Sequence, residues 1–126
     1  MRQALRAAKK RVLIVDDDEQ VRDIASLFVE ELGYPVSTAS NVIEALRILQ
    51  QDRTVDVLFS DITMPGMDGE QLAERARALR PDLRIILTSG GRRPQAKVAF
   101  VPKPFHAVDL IQVLPPLPLT DEKTTV

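Results

Sequence analysis

Residues 12–18 read VLIVDDD, and this stretch decides how the rest of the chain is interpreted. Its apolar part is an unbroken run rather than an alternating one, which is typical of a strand buried on both faces of a parallel sheet. The run stops at Asp16, so the strand is expected to end there. The stretch therefore predicts a parallel α/β architecture.

Strands and helices alternate along the remaining chain. Further strands are predicted at residues 35–38, 55–60, 83–87 and 98–101, and helices at residues 21–32, 42–50, 70–79 and 107–114. Such alternation implies a doubly wound parallel sheet with right-handed crossovers and helices on both faces. Because ligands bind these sheets at the carboxyl ends of the strands, the functional site is expected at that edge.

The connection between the fourth and fifth predicted strands is unusually short. Only nine residues, 89–97, separate Thr88 from Val98, and they include two glycines and a proline. A parallel crossover generally needs about ten to twelve residues or more. At most one helical turn fits, so the helix at this place is predicted to be reduced or absent.

Composition excludes several classes of function. The chain has 126 residues, 44% of them hydrophobic and 28% charged, which suits a single compact domain. Its 17 basic and 18 acidic residues give a net charge of −1, so we expect no direct nucleic-acid binding. The absence of cysteine and the single histidine, His106, exclude disulfides, thiolate zinc sites and histidine metal clusters. Oxygen atoms remain as metal ligands.

The sequence contains no stretch that is typical of a membrane span or a secretory signal. The longest uncharged stretch, residues 32–43, is too short to span a bilayer, and the basic residues 1–9 lack the apolar region of a secretory signal. A cytoplasmic location is therefore expected.

We predict a basic lead-in at residues 1–9, one domain at residues 10–115 and a flexible tail at residues 116–126. That tail is too short for a DNA-binding helix-turn-helix, so a stand-alone domain is expected.

Polar residues stand at the carboxyl ends of four predicted strands. They are Asp16 and Asp17 after the first strand, Asp61 after the third, Thr88 after the fourth and Lys103 after the fifth. Converging carboxylates repel one another unless a cation lies among them, and an all-oxygen set favours Mg²⁺ shared with a phosphoryl group. A carboxylate can accept that group as an acyl phosphate, while an ammonium and a hydroxyl bind its oxygens.

Each aspartate taken alone could simply cap the helix that follows it. This alternative requires independent coincidences at several strand ends. It also leaves Lys103 unexplained, because this residue stands between two prolines where no helix C-terminus calls for positive charge. A phosphoryl-binding site is therefore the favoured interpretation.

The sequence resembles the receiver domain of bacterial two-component response regulators in four segments, RVLIVDDDEQVR, LFSDITMPGMDG, IILTSG and FVPKPF. The resemblance covers about residues 10–115. It implies the flavodoxin-like fold with strand order 2-1-3-4-5, with a reduced or absent fourth helix as the departure from the family. It also implies a phosphorelay switch, rather than a multiple-turnover enzyme, that resembles a stand-alone response regulator.

By position, the resemblance assigns the site residues. It implies that Asp61 is the phosphoacceptor, and that Asp16, Asp17, Asp61 and the backbone carbonyl of Thr63 hold Mg²⁺, for which Mn²⁺ would be able to substitute. Both metals suit oxygen ligands.

The resemblance also implies a switch. Thr88 would be the hydroxyl that turns toward the phosphoryl group, Lys103 the cation that contacts it, and Phe100 the aromatic ring that moves with Thr88. The bond between Lys103 and Pro104 would be a cis peptide. The implied phosphodonor is a sensor histidine kinase or a histidine phosphotransfer protein. The output would be an unidentified downstream protein, and the chain is expected to be a monomer or a weak dimer.

Two other functions stay open. A phosphorylation-independent pseudo-receiver would use the short connection to lock one state and would bind a protein partner, although the retained Asp61, Thr88 and Lys103 argue against it. The aspartates after the first strand also resemble those of haloacid dehalogenase-type phosphatases. Against that reading, Gln20 occupies the place where that family has Thr or Val, and the chain is too short for that family's core and cap.

Overall fold

The computed structural model describes residues 10–95 and 97–116 as one five-stranded parallel sheet flanked by helices. Its strands are β1 Arg11–Val15, β2 Val36–Ala39, β3 Val55–Asp61, β4 Arg84–Ser89 and β5 Ala99–Pro102, in the order 2-1-3-4-5. The helices within the described ranges are α1 Glu19–Glu31, α2 Val42–Gln51, α3 Gly69–Leu79 and α4 Ala107–Val113. The predicted flavodoxin-like fold is confirmed. The predicted lead-in at residues 1–9 lies outside the described residues, and only Pro116 of the predicted tail is described.

Strand β1, which lies between β2 and β3, is buried on both faces, as its unbroken apolar run predicts. Leu13 belongs to the core on one side of the sheet, where it shares an apolar cluster with Leu49 of α2. Ile14 belongs to the core on the other side, together with Val29 of α1 and Leu110 of α4. Two apolar layers therefore fix the sheet between two pairs of helices.

Side chains from the preceding loops begin the three longest helices. These N-cap residues are Asp18 for α1, Asn41 for α2 and Asp68 for α3. Each accepts a hydrogen bond from a backbone N–H of the first turn, which satisfies a group that has no partner within the helix. The capping alternative is therefore wrong for Asp16, Asp17 and Asp61 with respect to the described helices.

The connection from β4 to β5 contains no helix among its described residues, which exclude Ala96. The prediction that the helix here is reduced or absent is thus confirmed for the described part. Strand β4 runs further than predicted, to Ser89, because Thr88 and Ser89 pair with Val101 and Pro102 of β5. None of the helices in residues 10–95 and 97–116 has both the length and the hydropathy of a membrane span.

Candidate functional site

The carboxyl ends of β1, β3 and β4 lie side by side and bring polar side chains together. Asp61 is the last residue of β3 and is in register with Thr88 of β4, while Asp16 directly follows β1. All three residues are buried, with exposed fractions of 3% for Asp16, 5% for Asp61 and 2% for Thr88. Polar groups this deeply buried are expected to have specific partners.

The three predicted acidic residues form one cluster. Asp16, Asp17 and Asp61 each offer a carboxylate oxygen within 4.8 Å of the other two. Asp17 is exposed, so the cluster opens to solvent on that side. A hard divalent cation fits this site, because the protein donors are all oxygens and lie close enough to share one ion.

Lys103 supplies the positive charge of the site. Its Nζ lies 2.9 Å from Asp16 Oδ2 and 3.4 Å from Asp61 Oδ1. The backbone helps to hold this residue in place, because Lys103 N–H donates to the carbonyl of Ser89 at 2.9 Å. The Lys103–Pro104 bond is cis. The predicted cis bond is thus confirmed.

The environment alters the proton affinities of both charged groups. Burial raises the pKa of Asp61, the neighbouring Asp16 raises it further, and Lys103 and the Thr63 N–H offset only part of this increase. Burial alone would lower the pKa of Lys103, but its hydrogen bond to Asp16 and the charges of both aspartates raise it overall. Lys103 is therefore held as a cation beside the Asp61 carboxyl, which is more basic than usual.

Thr88 has a buried polar atom that lacks a hydrogen-bond partner among the described residues. Its hydroxyl is buried and makes no hydrogen bond among the described residues. An unsatisfied buried hydroxyl is unfavourable by about 1–3 kcal/mol, which indicates that a partner outside the protein belongs there. A phosphoryl oxygen on the adjacent Asp61 would be such a partner.

The loop after Asp61 is pressed against the site. Gly69, the first residue of α3, donates its N–H to the carbonyl of Ile62 at 2.8 Å. A Cβ at Gly69 would lie 2.2 Å from the carbonyl oxygen of Asp61, so only glycine fits. The loop turns at Gly66, whose φ is 78°. Thr63 lies in this loop, and its N–H donates to the Asp61 carboxylate.

Phe100, the predicted switch residue, lies in β5 beside Leu87 of β4 and is half-buried. The guanidinium of Arg93 stands over its ring, 4.9 Å from the ring centroid. Sequence analysis missed this contact, and it also missed the close approach of Gly69 to Asp61. The only signal in the sequence was the position of Gly69 directly after a helix-capping aspartate.

The chain is similar in sequence to known proteins. The family model for the response regulator receiver domain matches residues 12–114. The response regulator receiver protein CpdR of Brucella abortus (strain 2308) is 36% identical over 114 residues, which cover 81% of this chain and 91% of CpdR. The sensor kinase CckA of the same strain is 36% identical over 108 residues, or 79% of this chain, but the match spans only 11% of CckA.

A solved structure with a similar fold was determined with a bound metal. The response regulator TrrA of Thermotoga maritima, determined in complex with Mg²⁺ and BeF, has a TM-score of 0.74 and 30% identity, covering 82% of this chain and 94% of TrrA. The five-stranded sheet in the order 2-1-3-4-5 belongs to the fold that this similarity describes. This chain belongs to the response regulator receiver domain family.

Proposed function

We propose that Asp61 accepts a phosphoryl group from the phosphohistidine of a sensor histidine kinase or a histidine phosphotransfer protein. The observation that carries this proposal is the buried, unpartnered hydroxyl of Thr88 in register with Asp61. Lys103 Nζ, 3.4 Å from Asp61 Oδ1, supports it from the other side. Together the two groups supply one hydroxyl donor and one cation for the oxygens of a group bound to Asp61.

The transfer is a substitution at phosphorus. A carboxylate oxygen of Asp61 forms the new P–O bond while the P–N bond of the donor breaks, and the electron pair of that bond leaves with the imidazole. Lys103 neutralises charge on the transferring oxygens, and Thr88 donates a hydrogen bond to one of them. Each chain therefore takes up one phosphoryl group, which makes it a stoichiometric switch.

A divalent cation fits the acidic cluster, and we expect Mg²⁺, with Mn²⁺ able to substitute. Asp16, Asp17 and Asp61 would hold it, together with the backbone carbonyl of Thr63. The bound cation would neutralise negative charge on the phosphoryl oxygens. Asp18 N–H donates to Asp16 Oδ1 at 2.9 Å and so orients this carboxylate for a cation.

An apolar surface lies beside the site, and we infer that a protein donor approaches over it. Beside Lys103 lies a cavity of about 420 Å³ that is also lined by Ile24 of α1. Ile24 and Leu27, one helical turn apart, are 51% and 59% exposed. Ile24 lines this cavity, and large exposed apolar side chains beside a site are typical of a protein interface. We call Ile24 and Leu27 the docking patch and infer that a helix of the donor protein covers it.

Acetyl phosphate with and without Mg²⁺, followed by intact-mass measurement, tests the acceptor. We expect wild type to gain one phosphoryl mass in the presence of Mg²⁺ and Asp61→Asn to gain none. Asp82→Asn, which removes an exposed carboxylate between α3 and β4, should behave as wild type. No gain in wild type from acetyl phosphate or from a phosphohistidine donor would refute the proposal and favour a phosphorylation-independent binding module.

A further inference from the structure

Arg92 and Arg93 connect the start of the β4–β5 connection to α3 and to β5 through side-chain contacts. We call residues 90–95 the arginine segment. Arg92 forms an ion pair with Glu70 through Nη1 and lies 3.1 Å from Asp68 Oδ2 through Nη2. The N–H of Gln95 donates to the other oxygen of Glu70 at 2.9 Å. The segment is thus attached at two places to the first turn of α3.

The segment is attached on its other side to β5. Arg93 stands over the ring of Phe100 at 4.9 Å from the centroid, which is the geometry of a cation–π contact. Successive arginines therefore connect two elements that flank the site, α3 and β5. In this chain the segment lies where a crossover helix is lacking among the described residues.

Two routes connect the arginine segment to the acceptor site, one through α3 and one through Ser89. The first turn of α3 leaves no room beside Asp61, because a Cβ on Gly69 would overlap the Asp61 carbonyl. At its start, the segment is tied to Ser89, whose Oγ accepts from Gly91 N–H at 3.0 Å and whose carbonyl accepts from Lys103 N–H. Ser89 directly follows Thr88, so a shift of Thr88 toward Asp61 is transmitted to the segment.

We propose that the arginine segment is a latch that stabilises the unphosphorylated arrangement, and that phosphorylation of Asp61 releases it. The inference rests on the proposed function, since it requires a phosphoryl group at Asp61. In the latched arrangement the Thr88 hydroxyl is unsatisfied, and satisfying it moves one end of the segment relative to α3. The Arg92 contacts are already close, so such a displacement lengthens and weakens them.

The latch is weak enough to be reversible. Arg92 is half exposed, and ion pairs of this kind contribute little individually. The segment also begins without steric restraint, because a Cβ at Gly91 would meet no atom within 4 Å. Coupling between two sites is reciprocal. If phosphorylation shifts the latch toward its open form by a given factor, then opening the latch must raise the affinity for the phosphoryl group by the same factor. This reciprocity gives two independent measurements.

The first measurement is hydrogen exchange by NMR on the whole chain, with and without Mg²⁺ and beryllofluoride, a phosphoryl analogue. We expect the Gln95 amide, bonded to Glu70, to exchange severalfold faster with beryllofluoride. The Gln71 amide, bonded to Asp68 within the cap of α3, should keep its rate and serves as an internal control. If amides around Asp61 respond but Gln95 exchanges at the same rate or more slowly, the latch is refuted. If no amide around Asp61 responds, the proposed function and the latch both fail.

The second measurement is a beryllofluoride titration of Arg92→Ala at fixed Mg²⁺. We expect a midpoint about two- to fivefold lower than that of wild type, the range that exposed ion pairs support. Arg92→Lys keeps the charge but cannot bind both acids in a fork, so it should fall between. Arg75→Ala, which removes an exposed arginine from α3, should leave the midpoint unchanged. An unchanged or higher midpoint for Arg92→Ala would overturn the proposal.

Discussion

Lys103 Nζ lies 2.9 Å from Asp16 Oδ2 and so joins the end of β5 to the end of β1 across 87 positions of the chain. The aspartate is almost fully buried and the lysine mostly so. Asp61 approaches the same ammonium to 3.4 Å. One cation thus separates two buried carboxylates that would otherwise face each other.

Removing that cation should damage both stability and function. We expect Lys103→Met to lower the free energy of unfolding by about 1–3 kcal/mol in metal-free buffer, because two buried carboxylates lose their charged partner. Phosphoryl acceptance from acetyl phosphate should fall by about 10²–10³, as when a preorganised donor is removed. Thermal unfolding should show a larger gain from Mg²⁺ in this variant than in wild type, because the metal replaces the missing charge. Equal gains in both proteins would contradict this account.

Asp61 should reduce stability at neutral pH. Its pKa in the folded protein is raised above the ordinary value of 3.8. Because the pKa is raised, the contribution of Asp61 to the free energy of unfolding is fully present below pH 3.8, where the carboxyl is protonated. This contribution is lost as the pH rises through the pKa of the folded protein. We therefore expect Asp61→Asn to raise the melting temperature at pH 7 without metal, and this gain to shrink toward acidic pH. Asp82→Asn is the control. A gain from Asp61→Asn that grows as the pH falls would show the opposite sign and refute the argument.

Two glycines offer a matched test of packing beside the site. A Cβ at Gly69 would lie 2.2 Å from a backbone oxygen of Asp61, whereas a Cβ at Gly91 would meet no atom within 4 Å. We expect Gly69→Ala to destabilise the chain by about 1–3 kcal/mol in urea denaturation and Gly91→Ala to stay within about 0.5 kcal/mol of wild type. Similar values for the two variants would mean that α3 can move away from Asp61 freely.

The sheet and the site residues could be predicted because each depends on local pattern. The apolar run that ends at Asp16 predicts a buried strand, and polar residues at strand ends must meet at one edge once the strands are parallel. The Arg92 contacts with Asp68 and Glu70 could not be predicted in this way, because they join segments more than twenty positions apart. The unpartnered state of the Thr88 hydroxyl likewise depends on what surrounds it in space, which no spacing rule describes.

The docking patch should affect the rate of phosphoryl transfer from protein donors but not from small-molecule donors such as acetyl phosphate. We expect Leu27→Asp to slow phosphoryl transfer from a phosphorylated histidine phosphotransfer protein that serves wild type, because a charge would replace an apolar contact. Transfer from acetyl phosphate should be unchanged, since Leu27 is exposed and lies outside the acidic cluster. Ile43→Asp on α2, where the side chain is 61% exposed, is the matched control. Equal slowing by both variants would place the donor elsewhere.

Replacing Thr88 with valine is expected to raise stability and to weaken ligand binding. Its hydroxyl is buried without a partner among the described residues, so Thr88→Val removes an unsatisfied polar group while keeping nearly the same volume. We expect this variant to be more stable than wild type by about 1 kcal/mol in the absence of a phosphoryl group.

The same substitution should weaken the phosphorylated state, because the lost hydroxyl is the donor proposed for a phosphoryl oxygen on Asp61. Beryllofluoride should therefore bind Thr88→Val less tightly by about tenfold, the loss of one hydrogen bond to a charged group. Thr88→Ser keeps the hydroxyl and should bind nearly as wild type, although the lost methyl group lowers its stability. If Thr88→Val instead lost stability and kept its affinity, the hydroxyl would have to be satisfied within the folded chain, and Asp61 would need another donor.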